Sequence, residues 1–252
     1  MYRRSTLSLV IWLALFGWLI SACGPAQAPP TGEASQPTSA EEHEVGHEQD
    51  AEHEAAIVKL ETVSLDASDK LRVIATTNIV ADNVSQVGGD SIELTALLPL
   101  GADPHTYTTS PQDMVAVTDA HLIFANGVNL EAEFLPELIQ HSEVPVIYVS
   151  QGIELRALGE DETREHENAD PHTWTTPTNA IVFVHNIEHA LSAADPANAE
   201  TYKANAEKYE VELERFDEWI GEQISTIPVN NRKLITDHDT FGYYTCLLYT
   251  SP

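Results

Sequence analysis

Residues 71–98, LRVIATTNIVADNVSQVGGDSIELTALL, decide the fold. The apolar run from Arg72 to Thr76 reads as a strand, the pattern from Ile79 to Val87 repeats at helical spacing and is closed by Gly88 and Gly89, and Ser91 to Leu98 is again strand-like. Downstream the alternation continues. Ser110 as N-cap and Pro111 at the first helical position open a helix to about Ala120. Leu122–Ala125 is the next strand, Leu130–Gln140 the next helix and Pro145–Val149 a fourth strand. Four strand–helix alternations predict an α/β fold whose parallel sheet is covered on both faces.

Thr176 and Pro177 then start a helix to about Leu191. Asp195 and Pro196 form a second cap-and-start pair. The apolar residues Tyr202, Ala206, Tyr209, Leu213, Phe216, Ile220, Ile224 and Ile227 follow in steps of three and four. That spacing predicts one amphipathic helix to Pro228, on the order of 45 Å at 1.5 Å per residue, enough to join two lobes. Lys233–Thr236 reads as a further strand, the opening of a second lobe. The expected organisation is an N-terminal lobe over 70–194, a linking helix over 195–228 and the start of a C-terminal lobe over 229–244.

The flanks have a different character. Arg3 and Arg4 precede a run from Leu7 to Ile20 that is apolar except for Ser8 and Gly17, followed by Ser21, Ala22 and Cys23. That run is too short to span a bilayer, so residues 1–22 read as a secretory signal. Ile20-Ser21-Ala22-Cys23 resembles a bacterial lipobox, which makes Cys23 the expected lipidated N-terminus and gives the chain its membrane anchor outside the cytoplasm. Residues 24–56 have no Lys or Arg and carry EEHEVGHEQDAEHE with His43, His47 and His53. The segment 23–69 therefore reads as an acidic tether, with those three histidines able at most to capture divalent metal loosely. At the other end, 245–252 departs from the preceding pattern. Cys246–Ser251, CLLYTS, is the translation of one frame of a transposon-library adapter, so a non-native tail on a C-terminally truncated chain is expected.

Composition narrows the function. With 40 Asp and Glu against 12 Lys and Arg the net charge is −28, which disfavours nucleic acid as a partner. Apolar residues at 42% suffice for a core, and two cysteines cannot build a cysteine-based zinc site or a disulfide framework. The 11 histidines stand out. Three short segments hold the chemistry: GADPHTYTTSP around His105, ADPHTWTTP around His172 and TDHDTFGYY around His238. The first two share Asp-Pro-His-Thr-aromatic, in which proline stiffens a turn that presents the imidazole in a set direction. Nitrogen ligands from three loops suit Zn²⁺. Asp103, Asp170 and Asp237 are the carboxylates placed to orient the rings or loops from behind.

With DPHTY, DPHTW and HDTFGYY in place, nearly all of residues 70–244 resembles the metal receptors of zinc and manganese ATP-binding-cassette importers. The resemblance implies a two-lobed α/β receptor joined by one long helix, which holds a metal ion in the cleft and hands it to a membrane permease driven by an ATPase. It implies His105 and His172 as ligands from the first lobe and His238 from the second. Histidine at the third position points to the zinc branch, with manganese or iron as the alternative cargo. A carboxylate of the later second lobe completes the shell in that family, and Asp239 is a weak substitute. The chain is expected to act as a monomer and not as an enzyme.

Two rival readings exist. His185-Asn186-Ile187-Glu188-His189 matches the H-x-x-E-H pattern of inverted zincins, with both histidines one turn apart on a helix. A surface adhesin with a purely structural metal is the other. Of the remaining histidines, His121 at a strand start and His141 at a helix end read as structural or solvated, and His166 lies in an acidic loop.

Overall fold

The computed structural model describes residues 60–66, 68–140, 142–158, 169–236 and 238–250, the last four by backbone alone. All belong to the unit of residues 45–252. The leader 1–22, Cys23, His43, His47, His53, His141, His166 and Asp237 lie outside the described residues.

Four parallel strands form one sheet in the order β2-β1-β3-β4: β1 Leu71–Ala75, β2 Ile92–Ala96, β3 Leu122–Ala125 and β4 Val146–Tyr148. Each step needs a crossover, and helices supply it: α1 Asn78–Gly88 between β1 and β2, α2 Pro111–Asp119 between β2 and β3, and α3 Leu135–Ile139 between β3 and β4. Strand residues alternate between two faces. Leu71, Val73, Ala75, Leu122 and Phe124 join a core with α1 and with α4 Pro177–Ala194 and α5 Ala199–Ser225, whereas Ile74, Ile123 and Ala125 face Val117, Leu135 and Leu138 of α2 and α3. Both faces are covered, as a parallel sheet requires.

Local chemistry sets the helix starts. Thr77 Oγ1 accepts from Val80 N–H at 3.1 Å, and Thr176 Oγ1 accepts from Asn179 N–H at 3.3 Å ahead of Pro177. Ser110 and Asp113 form a reciprocal capping box, with Pro111 inside it. The long helix α5 has 27 residues and buries Tyr202, Ala206, Leu213, Ile220 and Ile224. It spans about 40 Å. Tyr202 ties it to α4, because its hydroxyl donates at 2.8 Å to the buried carboxylate of Asp195, which also accepts from Asn198 Nδ2 at 2.7 Å.

Several expectations are corrected. Lys233–Thr236 is not a strand: after a 3-10 turn at Val229–Asn231 the chain has no regular structure and no ladder partner among the described residues. Apolar alternation alone does not make a strand when no edge is beside it. The helix expected over 130–140 is only the five residues of α3, preceded by turns over 128–134 that follow the positive-φ residues Gly127, Val128 and Asn129. The long helix ends at Ser225, short of Pro228, and its first residues Pro196–Asn198 form a 3-10 turn. The chain also joins the lobe earlier than residue 70, since Leu60, Val63 and Leu65 pack on the core and Val63 N–H donates to Ala194 O at 2.8 Å.

Tyr202→Phe removes one donor from a buried carboxylate without opening a cavity. We expect a loss of about 1–3 kcal/mol in urea unfolding with an unchanged m-value.

Candidate metal centre

The strand order reverses between β1 and β3, the point at which a parallel α/β sheet opens a crevice beyond the carboxyl ends of its strands. His105 comes from the loop between β2 and α2. His172 comes from the segment before α4, and His238 from the segment before α6, Gly242–Thr250. The histidines expected from sequence therefore arrive from three separate loops.

In both Asp-Pro-His segments the aspartate accepts the backbone N–H of the histidine two residues on: Asp103 Oδ1 from His105 at 2.9 Å and Asp170 Oδ1 from His172 at 3.0 Å. Beyond that the two differ. Asp103 turns its second oxygen to Thr106 Oγ1 at 3.4 Å and is exposed, whereas Asp170 is buried and also meets the Nδ1 of His172 at 2.7 Å. A carboxylate only accepts, so this contact places the proton of His172 on Nδ1 and leaves the Nε2 lone pair facing the crevice. Trp174 packs edge-on against the same ring, with centroids 5.3 Å apart.

The Nε2 of His172 lies 3.2 Å from that of His105 and 3.1 Å from that of His238. The ligand atoms of all three lie within 4.8 Å of one another, the single such group of His, Cys, Asp or Glu among the described residues. Nitrogens on a tetrahedral zinc at about 2.0–2.1 Å stand roughly 3.3 Å apart, so the spacing fits one ion. A cleft of about 250 Å³ lined by Asp103, Pro104, Trp174 and Thr240 gives access to it. Burial, followed by the nearby His172, pushes the His105 imidazole below its ordinary value of 6.5 against the opposing pull of Asp103. His172 is 3% exposed and His238 is exposed, so the group runs from the lobe interior to the surface. Asp239 is outside the converging group.

The tyrosine of the first motif anchors its loop. Tyr107 OH donates to Asp113 Oδ2 at 2.8 Å, and its ring packs edge-on against Phe134 at 5.2 Å. Burial and Asp113 push that phenol up to about 12. The inverted-zincin residues do not form a site. His185 Nε2 faces Glu210 at 3.2 Å and His189 Nε2 faces Glu188 at 3.5 Å, two separate exposed pairs. His121 is structural, its Nδ1 accepting Arg72 N–H at 3.0 Å.

The family described as ZnuA, zinc-uptake complex component A, periplasmic, matches residues 73–246, more than half of the chain. The chain belongs to this family. Among relatives of this metal-receptor family, the manganese ABC transporter substrate-binding lipoprotein PsaA of Streptococcus mitis is 33% identical over 185 residues, 71% of this chain and 59% of that protein. The iron ABC transporter substrate-binding lipoprotein MtsA of Streptococcus pyogenes serotype M1 is 34% identical over 184 residues, 70% and 59% of the two. A solved structure of a zinc-bound ZnuA deletion mutant superposes with a TM-score of 0.65 at 27% identity, covering 71% of this chain and 67% of that one. The chain spans 59% of the length of these curated relatives. The fold is thus that of the family's metal receptors, α/β with a parallel sheet and a long helix.

Sequence reasoning missed the clamp behind Asp170. The isolated antiparallel bridge Ala157–Ala169 sets Arg156 beside Asp170, whose N–H donates to Arg156 O at 2.7 Å. Arg156 Nη1 then reaches Asp170 Oδ2 at 3.5 Å. Tyr243 closes the arrangement from the His238 segment: its hydroxyl donates to Asp170 O at 2.9 Å, accepts Arg156 N–H at 3.2 Å, and its ring lies under the guanidinium at 5.7 Å. A β-carbon on the buried Gly242 would collide with Arg156 Nη1 and Asp170 Oδ2. The signals available were the scarcity of cations, which makes each arginine conspicuous, and the GYY that follows His238.

Gly242→Ala is expected to cost about 1–3 kcal/mol in thermal unfolding through this overpacking. The loss should be smaller in an Arg156→Ala background, a coupling that a double-mutant cycle reads directly.

Proposed function

We propose that this protein is the extracytoplasmic receptor of a zinc importer, capturing Zn²⁺ through His105, His172 and His238 and delivering it to a membrane permease driven by an ATPase. It is a binding protein and not an enzyme. The observation that carries the reading is the convergence of three Nε2 atoms, 3.1 and 3.2 Å apart about His172, at the mouth of the strand ends. Zinc is favoured because the converging donors are all imidazoles. Manganese prefers oxygen ligands and binds nitrogen sites more weakly along the divalent series. Asp170 and Asp103 support the rings and loops from behind, and Asp237 is proposed to do so for His238. In this reading Cys23 carries the lipid anchor, and His43, His47 and His53 of the acidic tether gather metal weakly near the surface. The protein works as a monomer with its membrane partners.

The names of the relatives favour a second cargo, since they include a manganese and an iron lipoprotein. Calorimetric titration separates the two. The chain is expected to take up one Zn²⁺ that an excess of Mn²⁺ does not displace, and to lose it in His105→Ala or His172→Ala. Displacement of Zn²⁺ by Mn²⁺ would assign the manganese branch.

Zinc affinity should fall as the pH drops below about 6, because protons compete for the nitrogens that must ligate as neutral imidazoles. The surroundings of His105 lessen this competition at that ring, since burial and the nearby His172 hold it below its ordinary value. An affinity unchanged between pH 7.5 and 5.5 would argue against a histidine site.

A further inference from the structure

The loop after β3 contains three successive residues with positive φ, Gly127 at 87°, Val128 at 53° and Asn129 at 61°. A β-branched residue seldom takes that conformation, and such strain persists where the surroundings impose it. The entry to this loop is held by Glu131, 3% exposed, whose carboxyl accepts Asn126 N–H at 2.6 Å, Gly127 N–H at 3.0 Å and the Thr76 hydroxyl at 2.7 Å. Nothing in the metal-capture reading uses this buried carboxyl. Its effect is to fix the backbone of Asn126, and with it the direction of a side chain that is 1% exposed.

That side chain reaches both neighbours of His172. Asn126 Nδ2 donates to Pro171 O at 2.9 Å and to Gly127 O at 2.9 Å, while Asn126 Oδ1 accepts from the hydroxyl of Thr173 at 3.1 Å. Between them His172 sits at φ −81° and ψ 48°, the centre of an inverse γ-turn closed by Thr173 N–H to Pro171 O at 2.8 Å. Asp170 sets the proton and rotation of the ring; Asn126 holds the backbone from which the ring projects.

We propose that Asn126, itself held by Glu131, is a positioning residue of the metal site that staples the two sides of the His172 turn and thereby aims Nε2 at the other two imidazoles. This rests on the metal-receptor reading above. It extends the site to a loop with no metal-binding side chain of its own.

The test uses the full chain, with Zn²⁺ affinity read by competition with a chelating dye and Co²⁺ as a spectroscopic probe of ligand geometry. Wild type and His172→Ala come first. If wild type binds neither metal, or His172→Ala binds as wild type does, the receptor reading falls and this proposal falls with it. Given a His172-dependent site, Asn126→Ala and the isosteric Thr173→Val are expected to weaken Zn²⁺ binding by roughly tenfold or more and to alter the visible Co²⁺ absorption. Glu131→Gln should follow in the same direction. Thr173→Val keeps the volume and decides the matter if Asn126→Ala does not fold. Affinity within about twofold of wild type, an unchanged Co²⁺ band and a lowered melting temperature would show that the network only holds the lobe together, and would overturn the proposal.

Discussion

Three imidazoles crowd about one point, with the Nε2 of His172 3.2 Å from that of His105 and 3.1 Å from that of His238, and no two of them can carry a charge together at that separation without strong repulsion. The rest of the crevice follows from that constraint. Burial and the neighbouring His172 push His105 towards its neutral form, and the Asp170 carboxylate commits the proton of His172 to the side facing away from its partners. A charge on Asp170 deep in the lobe then needs its own partners. Arg156, the backbone N–H of His172 and the closing Tyr243 supply them or shield it.

The fold delivers this arrangement at little local expense because the sheet places the loops. With strands ordered β2-β1-β3-β4, the chain leaving β1 turns to α1 on one face of the sheet and the chain leaving β3 turns to α3 on the other, so the order reverses there and a crevice opens at the carboxyl ends of the strands. His105 approaches from one side, stiffened by its proline and tied down by Tyr107. His172 approaches from the other, stapled to the turn that follows β3. His238 is borne by the segment that follows the long helix, so its distance from the other two depends on how that segment seats on the lobe. Gly242 and Tyr243, which pack against Arg156 and Asp170, make that seating specific.

The two Asp-Pro-His segments illustrate how one local motif serves different ends. Each makes the same turn from aspartate to histidine N–H, and that much is a property of the tripeptide. Whether the carboxylate then also grips its own imidazole depends on depth. Asp103 is exposed and turns to Thr106, whereas Asp170 is buried beneath the His238 segment and turns to His172.

Sequence alone determined the parts governed by short-range rules. Hydrophobic periodicity and proline caps located β1 to β4, α1, α2 and α4, because capping and burial patterns are written into neighbouring residues. The repeated tripeptide singled out His105 and His172, and TDHDTFGYY singled out His238. Only the tertiary structure decided what depends on residues far apart. Lys233–Thr236 had the composition of a strand and no ladder partner among the described residues. The helix after β3 is shorter than expected, preceded by a left-handed stretch at Gly127–Asn129 and further turns. Asn126 and Glu131 carry no local signature of a role, and the signals at Arg156 and Tyr243 name no partner, since each acts through a residue between 4 and 87 positions away. Burial of a carboxylate, the direction of a lone pair and the meeting of three loops are consequences of packing, and packing exists only once the chain has closed on itself.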